Sequence, residues 1–88
     1  MITNKSYKKT ILKKIEELKF EQDSYRRVIE EKVHFAKSLG CDVHTYEDMT
    51  FVYLSDMTVP DWIQSSIRRC EGVIQGLQFA IETLEKEL

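Results

Sequence analysis

Cys41-Asp42-Val43-His44 sets a thiol, a carboxylate and an imidazole within four residues, the groups from which a metal site or an activated cysteine nucleophile is built. A structural zinc ion takes four ligands, and the only other cysteine and histidine are Cys70 and His34, both in stretches that read as helix. The cluster therefore carries neither a metal nor catalysis in this reading. No glycine-rich phosphate loop, no Ser-His-Asp set and no paired-carboxylate motif is present, so the sequence predicts a non-enzyme without a cofactor.

The cations offer a different chemistry. Lys8-Lys9 follow Tyr7, Arg26-Arg27 follow Tyr25, and Arg68-Arg69 come six residues after Trp62. A cation pair can hold a phosphate while a neighbouring ring stacks on a base. Tyr7, Lys8, Arg26, Arg68 and Arg69, contributed by different subunits, could thus surround an anionic nucleotide. Taken singly, each pair also suits a solvated helix face with i,i+4 partners, such as Lys13 with Glu17 or Arg26 with Glu30.

Two long helices must position these groups. Ile63, Ile67, Cys70, Ile74, Leu77, Ile81, Leu84 and Leu88 are spaced alternately four and three apart, a heptad seam with Ile67, Ile74, Ile81 and Leu88 at a and Ile63, Cys70, Leu77 and Leu84 at d, a β-branched a and leucine d choice that suits a two-helix contact. Lys5 to Leu39 lacks proline and glycine, and Tyr7, Ile11, Leu12, Ile15, Leu18, Tyr25, Ile29, Val33, Ala36 and Leu39 give it a matching stripe. Thr3, Asn4 or Ser6 can cap its start, and Gly40 closes it. Gln22, with Asp23 and Ser24, interrupts the stripe and marks where a kink would fall, although one long helix is the favoured reading. Residues 41–59 connect the helices and are too many for a tight turn. Thr45-Tyr46-Glu47-Asp48 reads as a cap that opens a short helix bearing Tyr46, Met49, Tyr53 and Leu54, against an extended alternative at Thr50-Phe51-Val52-Tyr53. Thr58 is the expected cap of the last helix, with Pro60 in its first turn and Trp62 covering Phe51, Tyr53 and Met57.

The expected fold is all-α: one domain, residues 1–88, an antiparallel hairpin of two long helices with a structured connector, assembled into a homo-oligomer. Two features motivate assembly. Gly72, Gly76 and Ala80 form a ridge of small residues beside the seam, and Phe20, Val28 and Phe35 lie off the main stripe of the first helix. At 88 residues one chain buries only a modest core.

The net charge of −2 does not suit a general nucleic-acid binder. Six lysines crowd residues 1–19, and five carboxylates without a Lys or Arg occupy residues 42–61. No apolar run reaches the length of a membrane span, and the opening residues lack a signal-peptide core, so the expected setting is the cytoplasm.

Ile2-Thr3-Asn4 with Tyr7 and Ile11, together with the C-terminal Ile81-Glu82-Thr83-Leu84-Glu85, resembles the helical segment that precedes the DNA-binding domain of HigA-type antitoxins. The helix-turn-helix of that family is missing, so the resemblance implies a dimerisation module without sequence-specific DNA binding. Tyr7-Lys8-Lys9, Pro60-Asp61-Trp62, Arg68-Arg69 and Gln75-Gly76 resemble small phage-encoded helical-hairpin proteins, among them sponges that sequester cyclic nucleotide signals. That resemblance implies anti-defence nucleotide sequestration in a host cytoplasm. From the residues, the leading expectation is a non-catalytic oligomeric accessory or inhibitor protein acting through protein–protein contacts.

Overall fold

The computed structural model describes residues 4–88. The chain runs α1 (Asn4–Ser38), β1 (Asp42–Tyr46), β2 (Met49–Tyr53) and α2 (Asp61–Glu85). The two helices pack against each other as a rod 63 Å long and 16–18 Å across. The β-strands make the fold mainly helical rather than all-α.

α1 is one long helix, as the favoured reading has it, and runs on through Gln22. Gln22 is buried, and its side-chain amide donates to the Ile74 carbonyl at 3.1 Å and to Gln78 Oε1 at 3.1 Å. Its polarity is satisfied across the helix pair and not by bending its own backbone. Of the proposed starting caps, Thr3 lies outside the described residues. At the other end, Gly40 has φ 87, the Cys41 N–H reaches the Ala36 carbonyl and the Gly40 N–H reaches that of Lys37, both at 3.0 Å. This pair of bonds is a Schellman closure, and the apolar contact that accompanies it joins Ala36 and Cys41 in one core cluster. Gly40→Ala has open space for its methyl group but an unsuitable φ, so a loss of about 1 kcal/mol in a urea melt is expected.

Residues 45–54 form no helix, contrary to the expected connector. Asp42–Tyr46 and Met49–Tyr53 pair antiparallel, with Val43 opposite Val52, Thr45 opposite Thr50 and a two-residue turn at Glu47-Asp48. Period-two alternation wins here. Val43, Thr45, Thr50 and Val52 share the inward face, while His44, Tyr46, Met49, Phe51 and Tyr53 share the outward one. Val52 is buried at 1 % exposure, and Glu47 absorbs the turn at φ 53.

Pro60, not Thr58, occupies the N-cap of α2, and no side chain bonds there. Thr58 is drawn into the preceding turn, where its N–H donates to Asp56 Oδ1 at 2.9 Å and its carbonyl accepts from Leu54 at 2.8 Å. Trp62 does not cover the connector. It stands 58 % exposed with its ring 5.4 Å from Phe35 and with the Lys32 ammonium 5.6 Å from its centroid.

The seam of α2 is taken by α1. Ile63 and Ile67 join Ala36, Cys41 and Val52 beneath the hairpin, and Ile81 joins Ile11, Ile15 and Leu18 at the far end. Cys70 is also buried, whereas Leu88 lies beyond the helix and is half exposed. Between the two clusters the contact turns polar at Gln22, and Ile74 is only half-buried.

Candidate functional site

Side chains on one flank of α2 hold the β-hairpin to the rod. Gln64 Oε1 accepts from the Val52 N–H and its Nε2 donates to the Thr50 carbonyl, both at 2.9 Å, so one amide imitates a strand. Glu71 Oε2 accepts from the Thr50 N–H at 2.7 Å, and its other oxygen pairs with Arg68. Gln78, one heptad further, receives the Gln22 amide. Gln64, Glu71 and Gln78 therefore form a polar heptad beside the apolar one, and that seven-residue spacing was the signal in the sequence that could have found them.

A cleft of about 460 Å³ opens where this flank meets the β-turn, lined by Gln22, Arg26, Glu47, Asp48, Glu71 and Gln78 among others. Its chemistry is that of a spent network. Both Glu71 oxygens are engaged, Arg26 is bonded to Asp23 at 2.9 Å rather than to Glu30, and Gln22 is bonded twice. No cysteine, serine, lysine or histidine lines it. Among the described residues, no three His, Cys, Asp or Glu side chains gather as a metal would need.

The Cys41–His44 cluster is pulled apart by the fold. Cys41 is buried beneath the hairpin, while His44 lies on the outward face, stacked on Tyr53 with centroids 5.3 Å apart. Burial pushes the Cys70 thiol up in pKa, against the smaller opposing effect of Lys32 and Arg69. Cys70 is therefore not placed as a reactive thiolate.

The candidate nucleotide-binding residues occupy separate levels of one protomer. Tyr7 donates its hydroxyl to Glu87 Oε2 at 3.2 Å at the open end of the rod, and this bond, followed by the carboxylate's charge, raises its pKa. Lys8 is exposed at that same end. Arg26 is nineteen residues further along α1 than Tyr7, about 28 Å of helix. Arg68 stacks over Phe51 at 4.4 Å from the ring centroid and pairs with Glu71, which lines the cleft with Arg26. Arg69 is exposed on α2.

The candidate contact residues are divided between two helices. Phe20 is 65 % exposed, Phe35 is partly covered by Trp62, and Val28 is half-buried. Gly72 and Gly76 face open space, with nothing within 4 Å of an added Cβ, whereas Ala80 packs against the Ile81 cluster. The sequence reading missed Phe79, which shares the outer face with the two glycines and is 72 % exposed.

Comparison with known proteins finds no family model that matches the chain, and no significant match to a curated protein or a solved structure. What the geometry itself defines is a two-helix rod carrying a docked β-hairpin, with Gln22, Gln64, Glu71 and Gln78 committed to holding that arrangement.

Proposed function

We propose that the protein is a non-catalytic binding protein of the cytoplasm that acts as a homo-oligomer through protein–protein contacts. The outer face of α2 carries the reading. Gly72 and Gly76 each cost the helix about 1 kcal/mol against alanine, and nothing among the described residues fills the space they leave. Phe79 stands in solvent on the same face, seven residues from Gly72. A ring and a recess one heptad apart are self-complementary. In an antiparallel two-fold crossing near Gly76, each Phe79 lies against the other copy's Gly72. A second copy is thus the occupant this face fits.

Sedimentation equilibrium tests it. The wild type is expected to sediment as an oligomer, and Gly76→Leu to shift it to the monomer with an unchanged or slightly raised melting temperature. A wild type that is monomeric at high concentration, or a Gly76→Leu variant of unaltered mass, would overturn the assignment.

A further inference from the structure

The two edges of the β-hairpin differ. On the β2 edge, the outward N–H groups of Thr50 and Val52 are taken by Glu71 and Gln64, and the Thr50 carbonyl by Gln64. Because those groups point away from β1, Val43–Val52 and Thr45–Thr50 are the pairs that do not bond across the ladder. It follows that the N–H and C=O groups of Val43 and Thr45 project from the opposite, β1 edge. Among the described residues nothing in the chain bonds to them.

Beside that open edge runs a groove of about 560 Å³ between β1 and the flank of α1. Ile29, Val33 and Val43 give it an apolar floor, and Glu30, His34 and Lys37 form its outer wall. Two donors and two acceptors at i and i+2, backed by an apolar floor, are complementary to one class of ligand, an extended polypeptide backbone with alternating side chains.

We propose that β1 accepts an extended segment of another protein as a third strand, seated in the groove between β1 and α1. The inference deepens the protein-binding reading by naming the mode of one contact, and it uses a surface separate from the outer face of α2. A single segment fits better than a second hairpin. The third-strand position lies about 4.8 Å beyond β1, over residues of α1. A second copy carries its own α1 under its own β1, and pairing the two edges would press two helices closer than the roughly 8–10 Å that packed axes need. The side chains of the segment that face inward meet Val33 and Val43, so apolar or β-branched residues are required there, alternating with polar ones.

A displayed library of random seven-residue peptides, selected on the full-length chain, provides the probe. Enriched peptides should show the alternating apolar and polar pattern. Thr45→Pro removes one outward N–H without touching a ladder bond, and should weaken a selected peptide by about tenfold or more, while Thr45→Val leaves binding near the wild type. If Thr45→Pro does not fold, the wild type still decides. N-methylation of the peptide on alternate residues should abolish binding in one phase and spare it in the other. Failure to enrich any peptide, full binding by folded Thr45→Pro, or indifference to both N-methyl phases would overturn the proposal. A monomeric wild type that binds such peptides would remove the oligomer reading and leave strand addition standing.

Discussion

Ile67→Asp is expected to abolish cooperative folding, seen by circular dichroism as a loss of helix and of the thermal transition. Ile67 is fully buried, among Ala36, Cys41, Val52 and Ile63, where the helix pair and the hairpin meet. A carboxylate there finds neither water nor a cation. Burying it unpaired, added to the lost apolar contact, costs about 4 kcal/mol or more, which is most of the stability of a small domain. Ile67→Val keeps the shape and removes one methylene, so a loss of about 1 kcal/mol and a fall in melting temperature of about 4–8 °C should follow. An Ile67→Asp protein that still melts cooperatively near the wild-type temperature would mean that α1 and the hairpin do not close over this position.

The contrast between Ile67 and Gln22 explains which parts of the fold were legible in the sequence. Ile63, Ile67, Cys70, Ile74, Leu77, Ile81 and Leu84 repeat without interruption, and only a partner helix accounts for such a seam; α1 supplies it. Gln22 breaks the stripe of α1. Read alone it suggests a bend, because its partners, the Ile74 carbonyl and Gln78, are more than fifty residues away. Pairing across that distance leaves no local trace. The connector failed for a related reason. Thr45 followed by acids matches a helix cap, and the alternation that decides for strands becomes persuasive only when β1 and β2 are set side by side. Gln64 and Glu71 flank the seam, where polar residues normally face water, so their work on the strand backbone was hidden until the hairpin was in place.

Gln64→Leu should show that this flank of α2 holds the hairpin. The substitution keeps the bulk of the side chain but leaves the Val52 N–H without its acceptor and the Thr50 carbonyl without its donor, beside a core residue that is 1 % exposed. An orphaned main-chain group in such a position costs about 1–3 kcal/mol, so a loss of about 2–4 kcal/mol is expected for the pair. The loss should be local. Amide exchange of Thr50 and Val52 should accelerate strongly, because the hairpin can lift while the Ile11, Ile15, Leu18 and Ile81 cluster keeps the far end of the rod closed. Gln64→Glu separates the two bonds: it retains an acceptor for Val52 but sets a carboxylate against the Thr50 carbonyl, and should fall between wild type and Gln64→Leu. Uniform acceleration along the whole of α1 and α2 would show that the hairpin and the helices unfold as one unit. Unchanged exchange at Thr50 and Val52 would show that β2 is held by the pairing with β1 alone.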